Sequence, residues 1–454
     1  MRVFILLAVI LAVLFSATPN FQTGMSYCGF WQYVFQSPES DAEIDSMAAT
    51  NIEWISVCVW WFQETVTSTE IFPFEEDDEW GTPTDSSIAY LVQYAHARGI
   101  SIMLKPMVDP MDGAWRADIN PTSWNAWFDS YRSMIAHYAA LAESLNIEQF
   151  SIGCEYLSSS AAHADQWLRV IDTVRALYSG PITYAANWWE EFEYINWFDS
   201  LDAIGIDAYF HVSDHGNPTV SEIIDGWAEH IEAMETYLDT MGLTGKPVIF
   251  TEIGCGSYTG ATMTPWNWDY TGVTINQQEQ ADYYEALFQA VYPRPWIKGF
   301  FLWAWDNPSV SDYRWGGAEY AVGFTPNGKL AQEVLRNWYG IITNIDYRET
   351  TPRRFAISAF PNPFNSSCNI EIPNSEFPIT NVEIFDLSGR CVWSSNVGVT
   401  HRGYPDRPGQ TQGSAPTNGT IIWTPDKTIS SGVYLIKVTA PDGQIASKKI
   451  IYLK

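Results

Sequence analysis

Two glutamates close short apolar, β-rich runs in this chain: Glu155 ends Phe150-Ser-Ile-Gly-Cys-Glu155, and Glu252 ends Val248-Ile-Phe-Thr-Glu252. Alone, a carboxylate at a strand end is most often a salt-bridge partner. Two of them brought to one pocket can do more. One protonates a leaving oxygen while the other, as an anion, attacks carbon or activates water, which is what cleavage of a glycosidic bond requires. A gap of roughly 5 to 5.5 Å between such carboxyl groups gives retention of configuration, and about 6.5 to 9.5 Å gives inversion. Side-chain alternation puts Ser151, Gly153 and Glu155 on one face, so small residues are expected beneath the carboxylate.

The elements that must position this pair form a repeating theme from residue 24 to about 340. Eight apolar runs (Met25–Gln32, Trp54–Phe62, Ile100–Val108, Phe150–Glu155, Ile182–Trp188, Ala203–Phe210, Val248–Glu252 and Gly299–Trp305) alternate with turns and helical stretches. Apolar residues recur at three- and four-residue spacing most clearly over Trp124–Leu145, Ala164–Tyr178, Val220–Met241 and Gln278–Val291. Such alternation means parallel strands with crossover helices, and eight units predict an α/β fold closed as a (β/α)8 TIM barrel. A doubly wound open sheet is the alternative, but no Gly-x-Gly-x-x-Gly loop follows the first run. In a barrel, functional residues sit at the C-terminal strand ends, where Glu155 and Glu252 fall, on the fourth and seventh runs.

Beyond Tyr339 the character changes. Short β-rich runs at Asn369–Ile372, Asn381–Asp386, Thr420–Trp423, Val433–Thr439 and Ser447–Tyr452 predict a small all-β immunoglobulin-like sandwich, with Val397–Asn418 as a mobile loop. At the other end, Arg2, the apolar run Val3–Phe15 and the small residues Ser16 and Ala17 read as a signal peptide. The expected domains are a signal peptide over 1–20, a barrel over 21–343, a linker over 344–358 and a β-sandwich over 359–454.

Composition narrows the ligand. With 24 basic against 53 acidic residues the net charge is -29, which repels polyanions and argues against nucleic acid as a partner. Twenty-two Trp, several in pairs such as Trp60-Trp61 and Trp188-Trp189, exceed what a core needs and suit the apolar faces of sugar rings. Six scattered cysteines with no Cys-x-x-Cys pair make neither a zinc site nor a disulfide scaffold, and buried free thiols are expected for most. The seven histidines form no His-Glu-x-x-His helix, and no Gly-x-Ser-x-Gly or phosphate loop is present, so no metal or other cofactor is expected.

Further site residues follow from position. Tyr209 ends the sixth run, where its phenol could orient Glu252. Trp303 and Trp305 share a face of the eighth run, and one of them should floor the sugar subsite next to the scissile bond. Lys105 lies in an apolar run, so its ammonium must be paired, either with Asp207 or with a sugar hydroxyl. Trp115 and Arg116 follow the third run as candidate cleft walls, with a surface position for Arg116 as the alternative.

In order and register, Leu104-Lys105-Pro106, Trp115-Arg116, Ser151-Ile-Gly-Cys-Glu155-Tyr-Leu-Ser, Tyr184-Ala-Ala-Asn187-Trp188, Ile204-Gly-Ile-Asp207-Ala-Tyr209, Thr251-Glu252-Ile-Gly254 and Trp303-Ala-Trp305 resemble glycoside hydrolase family 113, a clan A family. The resemblance implies Glu155 as acid/base and Glu252 as nucleophile, with Lys105, Trp115, Arg116, Asn187, Trp188, Asp207, Tyr209, Trp303 and Trp305 around a polysaccharide or oligosaccharide substrate. It further implies retaining, endo-acting hydrolysis of β-1,4-mannan. Many clan A enzymes carry Asn before the acid/base; here it is Cys154, so the contact to a sugar 2-hydroxyl must come from elsewhere, Asn187 being a candidate. Phe360-Pro-Asn-Pro-Phe364, Ile384-Phe-Asp-Leu-Ser-Gly389-Arg and Ser431-Gly-Val-Tyr434 resemble the sorting domain of type IX secretion cargo. That implies the secretion machinery as a partner and a secreted or cell-surface location. A carbohydrate-binding sandwich using Trp393 and Trp423 is the competing reading of the tail, and the protein is expected to be a monomer. Other β-glycans, transglycosylation and non-catalytic glycan binding stay open as functions.

Overall fold

The computed structural model describes residues 21–74, 81–306, 321–350, 358–371, 381–386, 390–396, 420–439 and 445–454. The expected signal peptide and the segment Val397–Asn418 lie outside them. The chain divides into two compact units between Thr350 and Thr351.

In the first unit eight strands close a barrel: β1 (Gln22–Cys28), β2 (Trp54–Gln63), β3 (Ser101–Pro110), β4 (Gln149–Cys154), β5 (Ile182–Asn187), β6 (Ile204–Asp207), β7 (Val248–Ile253) and β8 (Ile297–Trp305). Neighbours are parallel, and β8 returns to β1. The first strand starts three residues before the expected run, because Gln22 pairs with Gly299, and it stops at Cys28. Past it, Phe30 stacks on Trp60 as loop rather than strand, with ring centroids 4.5 Å apart.

Helices α1 (Pro38–Ala49), α2 (Asp85–His96), α3 (Trp124–Leu145), the single turn α4 (Leu157–Ser160), α5 (Ala164–Arg175), α6 (Val220–Thr240), α7 (Gln277–Ala290) and α8 (Leu330–Thr350) flank the strands. Local sequence sets their ends. The Ser123 side chain accepts from Ala126 N to start α3, and Asn146, in the left-handed region, stops it. Thr219 and Glu222 form a capping box on α6. Helix α8 continues seven residues into the segment expected as linker.

Behind β4 and β5 the barrel is backed by aromatic rings. Trp127 stacks on Tyr131 and Trp167 on Trp197, all four buried, so a good part of the tryptophan excess is core. One consequence reaches the site. The β4–β5 register slips between Ser151 and Cys154, a bulge that puts Cys154, not Gly153, on the interior face with Ser151. Gly153 instead faces α5, where a Cβ would lie 2.8 Å from Tyr184 and 3.0 Å from Trp167. The expected Ser151, Gly153, Glu155 column is therefore broken, because period-two alternation cannot register a bulge. Glu155 reaches the barrel mouth by a left-handed turn, φ 57, which costs a non-glycine residue about 1–2 kcal/mol.

The second unit holds two antiparallel sheets, β9 (Ser358–Phe360), β10 (Cys368–Glu371) and β13 (Thr420–Trp423) in one, and β11 (Asn381–Asp386), β12 (Cys391–Asn396), β14 (Gly432–Thr439) and β15 (Ile445–Tyr452) in the other. Ile370 and Trp423 from one sheet share a core with Val382, Ile384, Ile436 and Ile450 from the other. Trp423 is buried there, which removes it as a glycan platform, and Trp393 packs half-buried against the same core. All six cysteines are free; five are buried and Cys391 is exposed.

Candidate active site

A cleft of about 770 Å³ opens at the C-terminal ends of the barrel strands. Of the residues expected there, Trp115, Arg116, Glu155, Asn187, Trp188, Tyr209, Glu252 and Trp303 line it. Both glutamates thus face one space from β4 and β7. Three expected ligand contacts are corrected. Lys105 and Asp207 are fully buried under the floor, and Trp305, 1% exposed, turns away from the cleft to donate its indole N–H to Glu43 of α1 at 2.5 Å. The β1–β8 register shifts between the pairs Met25–Leu302 and Tyr27–Trp305, so the two tryptophans do not share a face as strict alternation requires.

The two carboxylates have different surroundings. Glu252 is held at both oxygens: Lys105 Nζ donates to Oε1 and Tyr209 OH to Oε2, the latter at 2.8 Å. Burial alone would pull the Lys105 ammonium below its ordinary value, but the charge of Glu252, with Cys154 and Asp207, outweighs it and leaves the group raised. Lys105 therefore pairs with Glu252 rather than with a sugar or, by direct contact, with Asp207. Asp207 accepts instead from Thr251 at 2.7 Å and from the Cys154 thiol at 3.3 Å. Its carboxyl is pushed well up by burial and by the charge of Glu252.

Glu155 accepts from Asn187 Nδ2 at 2.6 Å and lies 4.0 Å from Arg116 Nη1. That cation is shared. Its Nε and Nη2 donate to Asp109 at 2.7 and 3.1 Å, and its Nη1 lies 3.2 Å from Cys154 Sγ. Glu155 has only that shared cation at 4.0 Å, where Glu252 has an ammonium in contact. Burial and then the charge of Glu252 raise the Glu155 carboxyl, while Arg116 and Asn187 oppose them. Glu252 is thus gripped by an ammonium and a phenol while the Glu155 carboxyl, without such a grip, is raised, an asymmetry of the kind that acid-assisted nucleophilic displacement uses. Arg116 is no surface residue; it fills the space beside Cys154. Asn187 also accepts from Trp189 N at its Oδ1, at 2.8 Å, and lines the cleft, so its amide is held in place beside Glu155 with its second N–H still available to a ligand.

Cys154, Glu155 and Asp207 offer donor atoms within 4.8 Å of one another. The Arg116 guanidinium already supplies positive charge beside two of them, so the set fits a metal poorly. Trp189, whose pair with Trp188 the sequence flags without assigning it to the site, also lines the cleft, as do Trp266 and Trp268, which sequence reasoning misses. Trp266 stacks on Trp188 at 5.1 Å between centroids, and Trp268 meets Trp303 edge-on at 6.0 Å. Both sit in the long loop after β7. The signal available was Pro265-Trp266-Asn267-Trp268, two exposed aromatics in an otherwise polar loop.

Replacing Arg116 by Gln removes a cation that lowers the Glu155 pKa. The alkaline limb of the kcat/KM profile is expected to move to higher pH, and a limb that stays put or moves down would show that Arg116 does not act on Glu155.

Comparison with known proteins adds a family. A model described as Glycoside Hydrolase Family 113 matches residues 27–329, and one described as a secretion system C-terminal sorting domain matches residues 358–403. The second match marks the protein as exported, to the cell surface or beyond. No curated protein matches the chain. Among solved structures, a GH113 β-mannanase, AaManA, from Alicyclobacillus acidocaldarius is 29% identical, with a TM-score of 0.62 over 71% of this chain and 98% of that one. A GH113 β-1,4-mannanase is 28% identical, with a TM-score of 0.58 over 71% and 99%. A family 5 mannosidase from Rhizomucor miehei, 9% identical with a TM-score of 0.50 over 74% and 95%, shares the fold.

Proposed function

Because the chain belongs to Glycoside Hydrolase Family 113, we propose that it hydrolyses β-1,4-mannan internally and with retention, Glu252 as nucleophile and Glu155 as acid/base. In the first step a Glu252 oxygen bonds to the anomeric carbon, the glycosidic C–O bond breaks, and Glu155 gives its proton to the departing oxygen. In the second, Glu155 takes a proton from water, the water oxygen attacks the anomeric carbon, and the Glu252 carboxylate is released. The observation that carries this reading is the grip of Lys105 and Tyr209 on both oxygens of Glu252, beside a Glu155 that lacks such a grip.

Mannose as the sugar is supported by the β-mannanases among the similar structures. Internal cleavage is supported by the cleft: Trp115, Trp189, Trp266 and Trp268 are all exposed along it, more flat faces than a single sugar residue can use. Proton NMR during hydrolysis of mannopentaose tests the proposal. The β-anomer of the new reducing end should appear first, then mutarotate. If the α-anomer appears first, the double displacement is wrong. Products longer than the substrate would assign transfer to a sugar acceptor instead of water.

A further inference from the structure

Glu191 is buried, 1% exposed, in the turn after β5. Its Oε1 accepts from Tyr184 OH at 2.6 Å and its Oε2 from Asn187 N at 2.6 Å. Tyr184 in turn accepts from Tyr156 N at 2.8 Å, and Asn187 donates its side-chain amide to Glu155 at 2.6 Å. Since Tyr156 follows Glu155 in the chain, these bonds close a ring: Glu155 backbone, Tyr156 N, Tyr184, Glu191, Asn187, Glu155 carboxylate. The ring encloses the residue whose backbone is left-handed, φ 57, a conformation a glutamate keeps only when its surroundings hold it. Among the described residues no Lys, Arg or His bonds to Glu191. Burial, partly offset by hydrogen bonding from Tyr184, Asn187 and Ser160, pushes its carboxyl up to about 7. A carboxylate kept at such a site without a cation has these donors as the compensation it needs.

We infer that Glu191 is a positioning residue for proton transfer by Glu155: its two oxygens fix at once the backbone turn that presents Glu155 and the Asn187 amide that aims its carboxyl group. Only a group accepting at both oxygens does this. An amide of the same shape turns one acceptor into a donor, which then faces either the Tyr184 hydroxyl or the Asn187 N–H. Facing Asn187 N–H, the donor opens the ring; facing Tyr184, it reverses that bond and leaves the phenol proton without its acceptor, so one of the two grips is lost or reversed either way while the fold around it stays packed. The inference rests on Glu155 being the general acid of the proposed function.

The test compares leaving groups. A sugar leaving from mannopentaose needs a proton from the acid, whereas dinitrophenolate leaving from 2,4-dinitrophenyl β-mannobioside does not, and kcat/KM reports the bond-breaking step for both. For Glu191→Gln, kcat/KM on mannopentaose is expected to fall by about 10- to 100-fold, part of the roughly 10²–10⁴ that general acid catalysis supplies. On the aryl substrate it should stay within about threefold, because that substrate draws on none of this proton transfer. Tyr184→Phe, which opens the ring at the other side, should show the same selectivity and serves if the first variant does not fold. Equal losses on the two substrates, or none, would mean that Glu191 only supports the fold. Glu155→Ala separates the two claims. If it lacks leaving-group selectivity, the acid assignment fails and the inference with it. If it is selective while Glu191→Gln and Tyr184→Phe are not, the inference alone fails.

Discussion

Glu252→Gln is expected to lower kcat on mannan oligosaccharides by roughly 10⁴-fold or more, the scale at which covalent catalysis is lost with its nucleophile, while oligosaccharide binding persists. The amide keeps the shape of the carboxylate and can still accept one hydrogen bond from Lys105 or Tyr209, so the walls of the cleft are undisturbed. What it lacks is the negative charge that bonds to the anomeric carbon. Calorimetric titration with mannopentaose, alongside initial rates, checks both halves. Turnover within about 100-fold of wild type would remove Glu252 from the nucleophile's role. A wild-type protein that binds and never turns over would favour a glycan-binding protein built on an enzyme fold.

Lys105→Met is expected to cost about 3–5 kcal/mol of stability, because it leaves the buried Glu252 carboxylate without its cation. The same change should alter the kinetics in a diagnostic way. Charge on Glu252 is consumed as the glycosyl–enzyme bond forms and restored as it breaks. The ammonium therefore opposes the first step and assists the second. Without it the second step slows relative to the first, so an activated aryl mannobioside should give a burst of phenolate followed by a slower steady state. Combining Lys105→Met with Glu252→Gln should recover most of the lost stability, since neither charge is then left alone. Additive losses in the double variant, or a single variant as stable as wild type, would show that the pair is not coupled as its geometry indicates.

Buried tryptophans teach how the aromatic signal divides. Trp127, Trp167, Trp197 and Trp227 are fully buried behind the strands, whereas Trp115, Trp189, Trp266 and Trp268 are exposed at the cleft. Residue type alone does not separate the groups. Helical spacing marks three of the first, as in Trp167, Val170, Ile171 and Val174 along one buried face of α5, while Trp197 lies in the segment after β5 outside any helix. A polar loop marks the second. The helices with the clearest spacing, α3, α5, α6 and α7, match the expected stretches to within three residues, because an amphipathic stripe is written locally. Residues 344–350 are helix rather than linker, a difference that arises because a helix end with mixed polarity resembles a linker in sequence.

The barrel, the order of its strands and the two carboxylates at the ends of β4 and β7 are legible in the amino-acid pattern, since hydrophobic period and strand-end polarity are local properties that closure merely assembles. What surrounds each carboxylate emerges only in three dimensions. Lys105 is 147 positions from Glu252 yet bonds to it, and Asn187, 32 positions on, holds Glu155. Such pairs form where different strands converge, and no spacing rule announces them. Bulges in β4 and between β1 and β8 re-aim Cys154, Glu155 and Trp305, and a slip of one residue is invisible to a pattern of period two. The difference between the two carboxylates arises from three-dimensional placement: which cation touches which oxygen, and how much water is kept away.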